Sequence, residues 1–581
     1  MRVLFLHPED SACEGPWSQQ HWDLIVDLGF AAPSTYEEWG RKSRTRILSL
    51  HTSADQGEGY QWVNQFFDRG RGKLLDRKGL NWWNILAMES HQDLHAFYHF
   101  RRIRDAFFTG AVQPAATRPH RVATIAEHAL QQRVQYFRSG SPGRFGRVAR
   151  VVRSARNLRP SQIAEIAFDK WDSRYRLRRQ WIGNRPAHLS DPAVLMPSAY
   201  SNVTRSTLAY AAQLPDRKFL LVTTRRNAVP RNLPANVTEC SLAAYVKPAR
   251  ATEDESAELT KKWQTFLNSA ATESEEFRWA AKAGVWDYVP VHLRHGIYLR
   301  DAWSHLLDSE PLTGVLCGDD LNYHTRLPLM LAHRRGLNAV YCSHGALDGG
   351  FLFKTPTAES YLVKGEMERD YLRRLGTIRP EKILVAAPGR SNVTEISDSK
   401  RDAIVFFSQP LEVASGRMDS MYEELLPRLH SVTSRSGKKL LIKLHPFESS
   451  KAREKLVNSI LPDARGQVEI VDGPLEEVMG RAWCGLTVDS SVAVECALSR
   501  IPFFLCGWLD FMGMGYLQQY ARFGAAEILK SPNEIDQIPR MVANFVSSPE
   551  TLRKLWCEGE PAKLDEIMFG AQSVRVTPCA C

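Results

Sequence analysis

The chain has 581 residues and a formal net charge of +10, a length too great for one hydrophobic core, so two or three domains are expected. Its 44% hydrophobic, 24% charged and 10% aromatic residues exclude a disordered or fibrous chain. No apolar run approaches the ~18 residues that span a bilayer, and MRVLFLHPED turns polar too early for a signal peptide, so a cytoplasmic protein is expected.

Short apolar runs at 2–6 (RVLFL), 23–27 (DLIVD) and 45–50 (TRILSL), bounded by turn or charged residues, predict strands of an α/β start. Residues 80–108 carry apolar side chains at i, i+3 and i+4 and predict a helix. The region from about 120 to 190 is basic, helix-patterned and interrupted by SGSPG, as an insertion would be. Its basic residues, densest between Arg133 and Arg185, fit a solvated helical face. The alternative is a patch that holds the protein peripherally at the anionic inner face of a membrane.

From residue 193 the α/β rhythm resumes. AVLMPS, a helix to about 214 and KFLLVTT form a β-α-β unit, and 251–308 is helical. TGVLCGDD, NAVYCSHG, ESYLV and KILVAAPGR are further strands, with helices between them. Composition turns polar at 390–402, which divides a predicted N-terminal acceptor-side lobe (1–395) from a C-terminal nucleotide-binding lobe (396–581). That second lobe reads AIVFFSQP, KKLLIKLHP, VEIVDG, CGLTV and IPFFLCG with helical connections, a regular βαβ series.

In an open parallel sheet, ligands bind outside the carboxyl ends of the strands. There the second lobe delivers Gln409, then Lys443, His445 and Glu448, then Asp489, Ser490 and Ser491, with Glu495 one turn into the next helix. Lys443 and His445 can donate to a diphosphate, Glu448 and Glu495 can accept from ribose hydroxyls, and the serine pair opens a helix whose amides favour an anion. A cap with no ligand explains either serine equally well. The first lobe delivers Asp319, Asp320 and His344, any of which could deprotonate an acceptor hydroxyl, although an aspartate there could equally cap the helix that follows.

Other chemistries find little support. No Walker loop, G-x-S-x-G elbow or G-x-G-x-x-G follows a strand. The ten cysteines lack metal-type CxxC pairs, so neither a metal site nor any other cofactor is expected. The positive charge is spread out rather than gathered with aromatics, which disfavours nucleic acid.

FFSQP (406–410), KLHP (443–446), DSS (489–491), SSVAVECALSRIPFF, GDD and SHG together resemble bacterial GT-B glycosyltransferases of the capsule and surface-polysaccharide type. These include the capsule Kdo transferases, the bacterial polysialyltransferases and sialyltransferases and, more distantly, the CDP-glycerol glycerophosphotransferases. The resemblance spans roughly residues 310–530 and implies two facing Rossmann-like lobes with a helical insertion in the first. It also implies donor phosphate held by His445 and the serines, and an acidic base from the first lobe. The family's acidic pair is followed by glycine, whereas here Gly318 precedes Asp319-Asp320. The expected reaction is transfer of a sugar from a nucleotide-activated donor, CMP-linked being favoured by the Gln-Pro and His-Pro pairs. The acceptor is a surface-polysaccharide or lipid-linked glycan. The alternatives are transfer of an alditol phosphate from a CDP-linked donor, a nucleotide-sugar 2-epimerase, and a non-catalytic binder of nucleotide or glycan.

Overall fold

A computed structural model describes residues 1–138 and 185–570, apart from 52–55, 70–71, 73, 225–231, 247–249, 346, 348–350, 352–354, 391–400, 412–415, 447, 465–466, 511–512 and 514. Most of the predicted basic insertion therefore lies outside the described residues. Among those described, no helix is long and apolar enough to cross a membrane.

The architecture is α/β, built on three parallel sheets. The first contains β1 (Arg2–Leu6), β2 (Leu24–Asp27), β3 (Arg46–Ser49), β4 (Gln113–Ala116) and β5 (Gln135–Tyr136), in the order β3-β2-β1-β4-β5. The second contains β6 (Ala193–Ser198), β7 (Lys218–Thr223), β8 (Val237–Ser241), β9 (Leu312–Cys317), β10 (Asn338–Cys342), β11 (Ser360–Val363) and β12 (Ile383–Val385), in the order β12-β11-β10-β9-β6-β7-β8. The third contains β13 (Ala403–Phe407), β14 (Lys439–Lys443), β15 (Val468–Val471), β16 (Ala482–Thr487), β17 (Phe503–Cys506) and β18 (Glu527–Leu529), in the order β15-β14-β13-β16-β17-β18. Central strands β6, β9 and β13 are buried at every position. Helices cover both faces of such strands, so their sequences are continuous apolar runs rather than alternating ones.

Two features of the topology go beyond what the strand pattern predicted. Residues 1–395 hold two separate sheets, because β4 (QPAA) and β5 (QY) complete an independent five-stranded sheet around β1. Neither segment carries the β-branched or aromatic run that announces a strand. The end of the chain also leaves the third sheet. Leu564 and Met568 of the helix Pro561–Phe569 pack with Val194, Met196, Leu316 and Val340 of the second sheet, and the Cys557 amide donates to Lys364 O.

The three sheets share one apolar cluster that includes Phe5 and Trp82, Leu195 and Tyr361, and Phe407 and Phe503. Buried polar ties reinforce it. Arg300, on the helix Val289–Ser309 beside the second sheet, donates to Asp76 at 2.6 Å and to Glu255 at 2.7 Å. Arg417, just before the helix Met418–Ser436 of the third sheet, donates to Asp27 at the end of β2 (2.6 Å), to the carbonyls of His7, Pro8 and Asp10, and lies over Trp39. A planar fork of five donors suits this set of acceptors, and an ammonium could not reach them all.

Candidate functional site

Strand order reverses between β13 and β16 in the third sheet, and such switch points open a crevice between the two carboxyl ends. Two predicted residues meet there. Gln409, after β13, accepts the Asp489 amide, after β16, on its Oε1 at 2.8 Å. Ser490 Oγ accepts the Val492 amide at 3.3 Å and so opens the helix Val492–Leu498, while Ser491 makes no side-chain cap. The capping role expected of the pair therefore falls to Ser490.

β14 ends beside this junction. Lys443 Nζ donates to Leu444 O at 2.7 Å. His445 is half-buried, and burial followed by the Lys443 charge pushes its imidazole down to about 4. At neutral pH it is thus an uncharged hydrogen-bond donor. Glu448 behaves otherwise than expected. It is 2% exposed, and its carboxylate accepts from Ser408 Oγ (2.8 Å), the His445 amide (2.8 Å) and Arg453 Nε (2.9 Å). Tyr422 donates to the same Ser408 hydroxyl. Rather than facing a ribose, Glu448 fixes the His-Pro corner against β13 and the helix Ser450–Ile460. Glu495, on the helix Val492–Leu498, lies 4.0 Å from Arg390.

The second sheet reverses between β6 and β9, and the acidic pair follows β9. Gly318 is required at this junction: a Cβ there would sit 2.9 Å from Val203 Cγ1. Asp320 is fully buried and pairs with the equally buried Arg326, 3.5 Å away. That isolation removes it as a base acting on an external hydroxyl. Asp319 is 6% exposed, and it accepts from the Leu321 amide (2.9 Å) and Asn322 Nδ2 (2.6 Å). Asn322 in turn caps the helix Tyr323–Arg334. His344, after β10, is half-buried and donates from Nδ1 to Gly318 O at 2.7 Å. A carbonyl can only accept, so this bond assigns the tautomer and leaves the Nε2 lone pair as the basic site.

Three residues the sequence reading missed stand at these edges. Tyr516, after β17, hydrogen-bonds the Leu347 backbone, feels the Asp489 charge and lies 4.7 Å from the Tyr371 ring. Lys364, after β11, donates to Gly345 O at 3.3 Å. Arg390, after β12, packs over Trp556. Lys364 and Arg390 do follow strands, which is a readable signal, whereas Tyr516 opens the mixed-composition helix Tyr516–Arg522 with nothing to single it out. Among the described residues, no group of three or more His, Cys, Asp or Glu is arranged to hold a metal ion.

The sequence matches no family model and no curated protein. Several solved structures are similar at low identity. UDP-GlcNAc 2-epimerase from Methanocaldococcus jannaschii, in complex with UDP-GlcNAc and UDP, is 12% identical over 64% of this chain and 98% of its own, with a TM-score of 0.39. The calicheamicin glycosyltransferase CalG4 is 12% identical over 67% of this chain and 100% of its own, at 0.41. MurG from Acinetobacter baumannii is 12% identical over 66% of this chain and 100% of its own, at 0.36.

Proposed function

We propose that the chain is a glycosyltransferase of GT-B architecture. In this reading it moves a sugar from a nucleotide-activated donor, CMP-linked by preference, to a hydroxyl of a surface-polysaccharide or lipid-linked acceptor. The observation that carries the reading is the junction at the third sheet's switch point, where Gln409 clasps the Asp489 amide beside Lys443, His445 and Ser490. A cation, a neutral donor and helix-opening amides on one sheet edge suit a leaving phosphate.

The base comes from the facing edge of the second sheet. Of the three candidates, His344 is best placed, because its Nδ1–H is committed to Gly318 O and its Nε2 can take a proton. As that proton leaves, the acceptor oxygen forms the new bond to the anomeric carbon. The bond from that carbon to the donor phosphate then breaks, and the charge passes to the nucleotide. Asp319 and Asp320 hold the loop that carries Gly318, and Tyr516 sets the separation of the two edges. The reaction needs no metal in this scheme, since Lys443 and the amides carry the phosphate charge.

A thermal-shift panel of CMP, CDP, UDP, GDP and their sugars tests the donor side. A nucleotide present at about 100 times its Kd adds about 2.7 kcal/mol of stability. One base should shift the melting temperature in the wild type and lose most of that shift in His445→Asn. No shift with any of them overturns the reading. Release of free nucleotide in EDTA, abolished in His344→Gln, tests the chemistry. Turnover that returns only with added magnesium or manganese rejects the metal-free step.

A further inference from the structure

We propose that Arg417 is a positioning residue for nucleotide binding: it anchors the loop of Gln409 to the first sheet, which thereby acts as a clamp on the donor side. The loop follows β13, and its two ends are closed on each other. The Leu411 amide donates to Gln409 O at 2.9 Å, and the Gly416 amide to Leu411 O at 2.7 Å. Glycine is required at 416, since a Cβ there would stand 2.8 Å from Leu411 Cβ. From this point the contacts run into the first sheet. Phe30, which follows β2, forms a parallel bridge with Gly416, and the Arg417 amide donates to Phe30 O at 2.7 Å.

The Arg417 side chain fixes this end. Its Nη2 donates to Asp27 Oδ1 at 2.6 Å and to His7 O at 3.2 Å, and its Nη1 to Pro8 O at 2.6 Å and Asp10 O at 2.7 Å. A second set of contacts lies along the helix Met418–Ser436. Ser420 Oγ accepts the Ala32 amide at 3.2 Å, while Glu424 accepts the Ser34 amide at 3.3 Å and Trp508 Nε1 at 2.7 Å. Glu424 thus sets its carboxylate at the N-terminus of the helix Pro33–Ser43, where an anion is favoured. Phe30 and Ala32 are buried in one apolar cluster with Phe406, Leu411, Met418 and Met421.

These links form one continuous path. Asp27 and the carbonyls of His7, Pro8 and Asp10 hold Arg417, and its neighbour Gly416 holds Leu411. Leu411 holds the Gln409 backbone, and Gln409 Oε1 holds the Asp489 amide at 2.8 Å. Arg417 touches no ligand in this role. It acts through Gln409, by holding the clasp of the switch point in one geometry before a nucleotide arrives. A clasp ordered in advance binds more tightly, because less conformational freedom is lost on binding. The role rests on the transferase reading for its nucleotide, and on the hydrogen bonds alone for its geometry.

A double-mutant cycle on the full chain separates positioning from general destabilisation. Arg417→Lys, Gln409→Ala and the double variant are titrated with CMP, CDP, UDP and GDP well below their melting temperatures. Arg417→Lys should weaken the nucleotide that binds by about tenfold, and the double variant should bind no more weakly than Gln409→Ala alone. Amide hydrogen exchange of the nucleotide-free proteins gives the second readout. Exchange at Asp489 should quicken on Arg417→Lys, with no further gain when Gln409 is already alanine. Asp27→Asn, which removes the carboxylate from Arg417 and leaves the loop sequence intact, should reproduce both patterns if Arg417→Lys fails to fold. Effects that multiply in the double variant overturn the positioning role, because independent sites add in free energy. Asp489 exchange that is unchanged, or quickened equally with and without Gln409, overturns it as well. A wild type that binds none of the four nucleotides ends the transferase reading, and exchange at Asp489 then decides the clamp by itself.

Discussion

Glu448 and Asp320 are carboxylates at strand ends, where a binding role is the natural expectation, yet both are fully engaged inside the protein. Arg453, Ser408 and the His445 amide occupy Glu448, and Arg326 is the partner of Asp320. Removing one member of a buried pair leaves the other charge uncompensated, which costs about 3–5 kcal/mol. Asp320→Asn is therefore expected to lower stability by about 3 kcal/mol, read from urea unfolding. Asp319→Asn, whose partners are an amide and a carboxamide, should cost about 1 kcal/mol. If the two variants unfold alike, the buried role of Asp320 is wrong. Glu448→Gln is expected to weaken nucleotide binding through a misplaced His-Pro corner as well as to destabilise, whereas His445→Asn should weaken binding with little change in the urea midpoint. The strand-end positions of these residues were legible in the sequence but not their direction, since the arginine partners five or six positions away on the following helix are set by packing.

At the scale of elements, most strands were legible because a strand covered on both faces needs an unbroken apolar run. RVLFL, AVLMPS, KFLLVTT, AIVFF and KKLLIK all became strands at the expected places. The two strands that complete the first sheet were not, since QPAA is recruited by the edge of β1 and QY by the edge of β4 rather than by their own propensity. Arg417 shows the consequence. It joins that sheet to the third through Asp27 and three backbone carbonyls, none of which is suggested by local sequence. Arg417→Lys keeps the charge but loses the fork. A loss of about 2 kcal/mol is expected, together with faster proteolysis between the first and third sheets at low protease. A variant as resistant as the wild type would show that the tie contributes nothing.

For the whole molecule, histidine sets the acid limit. Burial, then His95 and His51, pushes His99 down to about 3, and His120 and His445 lie at about 4. An unfolded histidine titrates near 6.5, so between about pH 6.5 and 4 the unfolded chain takes protons that the native one refuses. Stability is then highest above that window and falls as the pH drops through it. The melting temperature should be lower at pH 5 than at pH 7, and the difference should narrow in His99→Asn. An undiminished difference would assign the acid sensitivity to other groups. By itself the sequence determined the α/β class, most of the strands and the edge residues of the third sheet, because apolar run length and strand-end polarity are local properties. Only the tertiary structure decided that there are three sheets, that the last helix returns to the second, and that Glu448 and Asp320 face inward. Those outcomes depend on which distant surfaces bury one another, and that is a property of the folded chain alone.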